Sequence, residues 1–402
     1  MKTRNPETGA IRNVYALGFV SFFTDISSEM CFSLLPTFIL GLPGSSAAIL
    51  GLIEGVAEAL SYGLRAVSGI FSDKFRKRKV VVLVGYSFSN VVKPLFAVAQ
   101  SAFDAFVIRV ADRVGKGVRT SPRDALLSES VSERRRGAAF GLHRTLDQTG
   151  AILGPLIASV SMLLLGMTAR DIFWLSLIPG SMAILILLFL VQERTSKTTA
   201  EFELMKGMRT ILRGDFRLLL LIATIFSLGA FNYSFVQLNA KEANVTVIFI
   251  PLVYAAINLA HTLIAIPSGL LADRVRKGKV LVMGYGAFLA AATLILLWPR
   301  DHLSAFLIAV VFGIYDGITT TVSRALIPRY AGTALIADAS LLGTAYGIYY
   351  VVVGSSSFVA NVVVGTLWEY FGSSAAAIYS ITLSSAAIIG MILFLGYQKR
   401  KL

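Results

Sequence analysis

Apolar runs of about 20 residues recur along the whole chain, and each is long enough to cross the ~30 Å hydrocarbon core of a bilayer. Examples are Ile172–Val191, Leu218–Phe235 and Ala375–Tyr397. Hydrophobic residues make up 55% of the 402 residues and charged residues only 15%, which is too apolar for an ordinary soluble domain. Because backbone polar groups cannot be left unpaired in lipid, runs of this length are expected to be helices. The sequence therefore predicts an all-α membrane protein embedded in a lipid bilayer.

The apolar runs divide into twelve predicted transmembrane helices. We place them near residues 13–40, 47–71, 80–99, 103–127, 137–165, 172–191, 218–240, 245–271, 280–298, 305–328, 339–367 and 375–397.

Basic residues alternate between the loops. The loops at 72–79, 192–217 and 273–279 hold five, six and four Lys or Arg, whereas those at 41–46, 100–102 and 241–244 hold none, none and one. Loops rich in Lys and Arg stay on the cytoplasmic side, so both termini and the 192–217 segment are predicted to be cytoplasmic in an inner (plasma) membrane. This orientation accounts for the net charge of +14, and no nucleic-acid partner is expected. We expect a monomer.

A duplicated sequence motif divides the chain into two halves. "GIFSDKFRKRKVVVL" at 69–83 is followed 200 residues later by "GLLADRVRKGKVLVM" at 269–283, with seven of the fifteen positions identical. Each copy follows the second span of a set of six. We therefore predict a six-helix bundle over 1–191, a cytoplasmic linker over 192–217 and a second six-helix bundle over 218–402, related as parallel repeats.

These motifs resemble those of the major facilitator superfamily over the full length of the chain. The duplicated loop is similar to the superfamily's G-x-x-x-D-(R/K)-x-x-x-(R/K) element. "GLHRTLDQTGAILGP" resembles the antiporter motif of fifth helices in the drug:proton antiporter branch, with Gly141, Gly150, Gly154 and Pro155 at the matching positions. "RVGKG" at 113–117 resembles that branch's fourth-helix pattern, with Lys116 where glutamine is usual. The resemblance implies twelve helices in two pseudo-symmetric bundles and transport by alternating access.

The resemblance also implies a cytoplasmic gate built from the duplicated loop. A carboxylate at the end of one helix can accept hydrogen bonds from the N-terminal amides of another, which gives a contact that breaks in each cycle. By symmetry, Asp73 is expected near Ala337–Ser340 and Asp273 near Gly137. The predicted gate residues are Gly69, Asp73, Arg76, Lys77, Arg123, Gly269, Asp273, Arg276, Lys277 and Arg324.

Charged residues inside the predicted spans are concentrated in the first half. Such residues are costly in lipid and indicate function by default. Burial and an arginine partner act in opposite directions on a carboxylate, and this balance can prepare it to exchange protons. A static salt-bridge network joining helices is the structural alternative. The candidates for proton coupling are Asp25, Glu29, Glu54, Glu58, Asp112, Arg113, Arg144 and Asp147.

The second half contributes mainly aromatic and polar side chains to its spans. We predict that both halves line a central substrate cavity. Its candidate residues are Asp25, Arg109, Arg113, Phe231, Asn232, Tyr254, Asn258, Tyr315, Asp316, Tyr346 and Tyr350.

The sequence favours a secondary transporter over an enzyme. It has no phosphate-binding GxxxxGK[ST] loop, and no cofactor or metal site is expected. Three functions remain: a proton-coupled exporter of amphipathic compounds, a transporter of an anionic organophosphate or carboxylate, and a non-transporting membrane sensor. Arginines that point unpaired into the cavity would favour the anionic substrate, because guanidinium groups recognise such anions by bidentate bonds. Arg109, Arg113 and Arg144 paired with embedded acids would favour the exporter.

Overall fold

The computed structural model describes residues 6–75, 77–132, 135–193, 212, 214–330 and 342–401, and gives the backbone alone for 6–11, 66–67, 69–75, 324, 342–344 and 401. Its α-helices are α1 (Pro6–Phe32), α2 (Leu35–Ile39), α3 (Ala47–Phe75), α4 (Arg78–Val92), α5 (Ala102–Glu129), α6 (Arg136–Leu165), α7 (Ala169–Leu175), α8 (Leu177–Leu190), α9 (Asp215–Gly229), α10 (Tyr233–Glu242), α11 (Ile250–Arg274), α12 (Lys277–Leu297), α13 (His302–Tyr330) and α14 (Leu342–Lys401). Two 3₁₀ turns, Lys93–Val98 and Val247–Phe249, extend α4 and precede α11.

Nine segments of the described chain are long and apolar enough to cross a membrane. They are Ala47–Arg65, Arg78–Val98, Arg136–Leu165, Ala169–Leu190, Asp215–Glu242, Val247–Arg274, Lys277–Leu297, His302–Tyr330 and Ala345–Arg400. The last contains two predicted spans, which the non-helical Gly372 separates with a φ of 81°. The charged helices α1 and α5, of 27 and 28 residues, occupy the first and fourth predicted positions. A helix thus lies at each of the twelve predicted positions, and the prediction of an all-α membrane protein is confirmed.

The helices form two compact units. Unit 1 comprises Met1–Ser45, Leu60–Thr199 and Val247–Ala255, and unit 2 comprises Ser46–Ala59, Ala200–Thr246 and Ala256–Leu402. The units differ from the predicted bundles in two short segments: the first turns of α3 pack within unit 2, and the beginning of α11 packs within unit 1.

Close helix packing in unit 1 depends on glycines. A Cβ atom at Gly154 of α6 would lie 3.0 Å from the Met30 backbone nitrogen and 3.1 Å from the Glu29 Cβ of α1. A Cβ at Gly115 of α5 would lie 2.8 Å from the Gly85 carbonyl oxygen of α4. Such separations are shorter than van der Waals contact, so only glycine lets these helices approach so closely.

One asparagine side chain holds three parts of unit 1 together. Asn13 of α1 donates from Nδ2 to the Gln192 carbonyl oxygen at 2.9 Å and accepts at Oδ1 from the Gln192 amide at 2.8 Å. Its Nδ2 also donates to Ser130 Oγ at 3.1 Å, immediately after α5. The chain that follows α8 is therefore fixed to α1 at Gln192.

Unit 2 packs around aromatic side chains. Phe226 stacks on Tyr285 with ring centroids 3.7 Å apart, and Phe288 packs on Phe231 and Tyr315 at 4.8 and 4.9 Å. Aromatic pairs at these separations add stability beyond their buried area.

The first turn of α3 is bound to α14 within unit 2. The Ala47 backbone amide donates to Glu369 Oε2 at 2.7 Å, so a carboxylate of α14 satisfies one of the unpaired amides at the start of α3. Close by, a Cβ at Gly365 would lie 3.1 Å from the Gly51 Cα, so the two backbones are in direct contact.

Candidate functional site

The site in unit 1 begins with the fit between α1 and α6. Asp25 and Glu29 are four residues apart and share a face of α1. This face lies against Gly150 and Gly154, and a Cβ at Gly150 would lie 3.2 Å from that of Asp25. The two glycines therefore bring both acids of α1 onto α6. The third glycine of the motif, Gly141, has open space where a Cβ would be.

Two carboxyl groups meet where α1 crosses α6. The carboxyl groups of Asp25 and Asp147 lie close enough to interact directly. Asp147 accepts from Ser21 Oγ at Oδ1, 2.6 Å away, and from Arg144 at Oδ2, 2.9 Å away. Two neighbouring carboxyl groups repel each other when both are ionised, and a proton on one of them lets it donate to the other. This arrangement can hold one proton and release it.

A second acid, Asp112, lies on α5. It accepts a 2.5 Å hydrogen bond from Ser89 Oγ and lies 3.9 Å from the Arg109 guanidinium. Arg113 and Lys93 also act on its charge. Arg109 is fully buried, and it lies 4.0 Å from the centre of the Phe32 ring, with Arg113 5.0 Å from the same ring. Both arginines are thus engaged within unit 1, by acid and aromatic neighbours.

Glu29 and Tyr254, predicted for proton coupling and for the substrate cavity, come together in unit 1. Tyr254 donates from its hydroxyl to Glu29 Oε2 at 2.5 Å. Nearby, Ser159 of α6 donates to the Ile248 carbonyl oxygen at 2.7 Å. The segment 247–255 is therefore hydrogen-bonded to both α1 and α6.

Several residues that contact or act on the acids of unit 1 were not among the predicted site residues. Lys93, interpreted from sequence as structural, is fully buried and donates to Ser28 Oγ and Asn90 Oδ1, each at 2.7 Å. Lys116 acts electrostatically on Asp25 and Glu29. Ser21 and Ser89 are small and common in helices, so the sequence carried no signal for their roles.

The predicted residues Glu54 and Glu58 lie in the α3 segment of unit 2. Glu54 is fully buried and Glu58 is half-buried. Both residues lie in the first turns of α3. These turns are held against α14 by the Glu369 cap and by the contact of Gly51 with Gly365.

Asp316 and His261 form a polar pair in unit 2. His261 Nδ1 lies 2.8 Å from Asp316 Oδ2, and the side chain of Asp316 is 41% exposed while that of His261 is 9% exposed. The carbonyl oxygen of Asp316 accepts from the Thr320 hydroxyl. Sequence reasoning placed Asp316 in the cavity but left His261 out of the site, because the two residues lie on different helices and share no local spacing.

The other predicted cavity residues of unit 2 have distinct positions. Phe231 is buried in the aromatic core, and Tyr315 packs at its edge. Asn232 caps α10 by accepting from the Ser234 amide at 2.9 Å. Asn258, Tyr346 and Tyr350 are half-buried, and the two tyrosines stack with centroids 6.3 Å apart.

The predicted gate is described only in part. Arg76 and the expected contact at Ala337–Ser340 lie outside the described residues, and only the backbone is described at Gly69, Asp73 and Arg324. Arg123 pairs with its neighbour Asp124 at 2.8 Å. Asp273 pairs with Lys277 at 2.9 Å on an exposed surface. Lys77 and Arg276 precede α4 and α12. A Cβ at Gly269 would lie 3.6 Å from Thr321 Cγ2, which is ordinary van der Waals contact.

The remaining features of the antiporter-like motif are internal to unit 1. Pro155 is buried within α6, one residue after Gly154. Gly150 and Gly154 face α1, so these two glycines of the motif bring Asp25 and Glu29 of α1 close to α6.

Comparison with known proteins gives relatives along nearly the whole chain. An uncharacterized MFS-type transporter of Methanocaldococcus jannaschii is 33% identical over 364 residues, which cover 89% of this chain and 89% of that protein. The multidrug resistance protein MdtG of Proteus mirabilis is 24% identical over 80% of this chain and 83% of its own length.

Solved structures show the same fold. A crystal structure of a variant of the nucleoside transporter NupG superposes with a TM-score of 0.80 at 11% identity, covering 95% of this chain and 99% of that one. A POT family transporter in complex with 5-aminolevulinic acid superposes with a TM-score of 0.77 at 15% identity, covering 97% and 96%. The sequence model for the Major Facilitator Superfamily matches residues 17–361. The chain belongs to the Major Facilitator Superfamily of transporters.

Proposed function

We propose that this protein is a proton-coupled exporter of amphipathic organic compounds. It would act by alternating access of two six-helix halves, over 1–191 and 218–402, in an inner membrane with both termini cytoplasmic. The observation that carries the proton coupling is the close approach of the carboxyl groups of Asp25 and Asp147 where α1 packs on α6.

The carboxyl pair couples a proton to the contact between α1 and α6. Two neighbouring carboxylates cannot both ionise without strong repulsion, so the pair is stable with one proton between them. Ser21 and Arg144 hold Asp147 in place, and the glycine face of α6 holds Asp25 near it. Loss of the proton would leave two repelling anions, and α1 would be driven from α6.

The contacts of Arg109 and Arg144 with neighbouring side chains favour an exporter of amphipathic compounds over a transporter of anions. Arg109 lies beside Asp112 and Phe32, and Arg144 is bonded to Asp147. An anionic substrate would have to displace these partners. The similarity to MdtG, a multidrug resistance protein, supports the same direction.

Transport by the purified protein in liposomes tests the proposal. We expect a preset pH gradient to drive accumulation of ethidium, an amphipathic dye, and collapse of the gradient to abolish it. Asp147→Asn should reduce gradient-driven uptake by on the order of 100-fold, a loss typical of removing a positioned proton-transfer group.

Asp301→Asn is the matched control, because Asp301 starts α13 by accepting from the Ser304 amide at 2.7 Å and asparagine is an equally good N-cap. Uptake that ignores the pH gradient would refute proton coupling. Flux of organophosphates or carboxylates without flux of the dye would establish the anionic alternative instead.

A further inference from the structure

An amphipathic groove of about 530 Å³ opens on the surface of unit 2, between the start of α12 and the end of α14. Three cations line it: Arg276, Lys279 and Lys399. Within the described chain, none of their side chains makes a hydrogen bond or an ion pair. Of the nearby acids, Asp273 pairs with Lys277, and Asp215 accepts from the neutral amide of Gln398. Neither acid forms an ion pair with the three cations of the groove.

The rest of the groove is apolar. Val282, Ile392 and Leu395 form this part. Gly278 of α12 packs against α14 here, and a Cβ at this position would lie 2.7 Å from Leu395 Cδ2. The groove thus joins a cationic end to an apolar wall along a segment, Lys277–Leu297, that is apolar and long enough to cross the membrane.

The first half of the chain shows what occupies the corresponding position there. In the duplicated motif, Lys79 at the start of α4 corresponds to Lys279 at the start of α12. The backbone amide of Lys79 donates to both carboxylate oxygens of Glu193, at 3.2 and 3.0 Å. Its Nζ donates to the Leu188 carbonyl oxygen at 2.8 Å. The chain itself thus places an anion at the start of α4.

In the second half, no carboxylate of the described residues accepts from the Lys279 amide. Residues 370–402 contain no Asp or Glu, and the last helix brings Lys399 to the groove instead. The Lys279 amide donates to the Arg276 carbonyl oxygen at 2.8 Å. Among the described residues, no carboxylate pairs with the three cations, and the apolar wall fits a molecule with hydrocarbon chains.

We propose that this groove binds an anionic phospholipid of the surrounding bilayer. Its phosphate lies among Arg276, Lys279 and Lys399, where the N-terminal dipole of α12 adds to their charge, and its acyl chains lie along Val282, Ile392 and Leu395. Inorganic phosphate could contact only the cations, whereas a phospholipid would also fill the apolar part of the groove. The apolar part therefore distinguishes a lipid from a free anion.

Native mass spectrometry of the full-length protein in detergent tests the proposal, with phosphatidylglycerol as the anionic probe and phosphatidylcholine as the neutral one. We expect wild type to retain phosphatidylglycerol preferentially. Replacing all three cations with alanine should weaken its binding by on the order of 100-fold, since each basic residue near a membrane surface contributes about a fivefold gain.

Lys399→Glu is the sharper variant, because it supplies a carboxylate in the manner of Glu193. It should exclude phosphatidylglycerol while the fold, followed by thermal unfolding, stays intact. Lys241→Ala removes an exposed lysine at the end of α10 and should leave lipid retention unchanged. Equal retention by wild type and the triple variant, or equal retention of both lipids, would overturn the proposal. Competition by inorganic phosphate that is as effective as competition by the lipid would also overturn it.

Discussion

The hydroxyl of Tyr254 donates a 2.5 Å hydrogen bond to Oε2 of Glu29. Tyr254 is 5% exposed, and Glu29 follows Asp25 by one helical turn on the face of α1 that lies against α6. The tyrosine therefore ties the start of α11 to the helix that carries the carboxyl pair. A displacement of α1 would therefore lengthen or break the hydrogen bond between Tyr254 and Glu29.

Tyr254→Phe should lower the free energy of unfolding by about 1–3 kcal/mol, because it removes a donor from a half-buried carboxylate. We expect gradient-driven transport to fall as well, since the link between α1 and α11 is lost. Thermal unfolding in detergent and liposome uptake measure the two effects. Tyr370→Phe, at a position 73% exposed, should change neither. A Tyr254→Phe protein equal to wild type in both measurements would show that the bond is dispensable.

Gly154→Ala and Gly141→Ala should have opposite effects although both residues belong to one motif. A methyl group at Gly154 would lie 2.8 Å from the Ile26 carbonyl oxygen, so α1 must shift and the protein should lose about 1–3 kcal/mol and most of its transport. At Gly141 the space is open, and alanine should stabilise the helix by up to about 1 kcal/mol. Thermal unfolding of the two purified variants is the measurement. Equal destabilisation would mean that contact with α1 does not set the need for glycine.

His261 and Asp316 should act as a unit. A double-mutant cycle with His261→Ala and Asp316→Ala should give a coupling free energy of about 0.5–3 kcal/mol, the range found for residues in direct contact. Asp316→Asn keeps an acceptor oxygen and should be milder than Asp316→Ala. Chemical unfolding of the four proteins provides the values, and strictly additive effects would contradict a working pair.

Glu369→Ala should destabilise the protein by about 0.5–2 kcal/mol, as does the loss of a helix cap, because the Ala47 amide loses its carboxylate acceptor. Glu369→Gln keeps an oxygen acceptor and should recover part of the loss. Hydrogen exchange of the first turn of α3 locates the effect. Faster exchange elsewhere, with this turn unchanged, would place the role of Glu369 away from the cap.

Features with a local signature in the sequence could be predicted. The apolar runs located the helices, and the Arg144–Asp147 ion pair followed from a three-residue spacing on one helix. The pairing of Asp25 with Asp147 and of His261 with Asp316 could not be predicted, because it depends on how separate helices cross. Gly141 and Gly154 look equivalent in the motif, and only the position of α1 distinguishes them. Segment 46–59 packs in unit 2 through the Gly51 contact and the Glu369 cap, and segment 247–255 packs in unit 1 through hydrogen bonds of Tyr254 and Ile248. The hydrophobic pattern does not encode these contacts.

The double hydrogen bond of Asn13 to the backbone of Gln192 has a mechanical consequence. Because the Gln192 amide and carbonyl group are both bonded to Asn13, the end of α8 is expected to move together with α1. A label introduced just before Gln192 would therefore report the motion of α1.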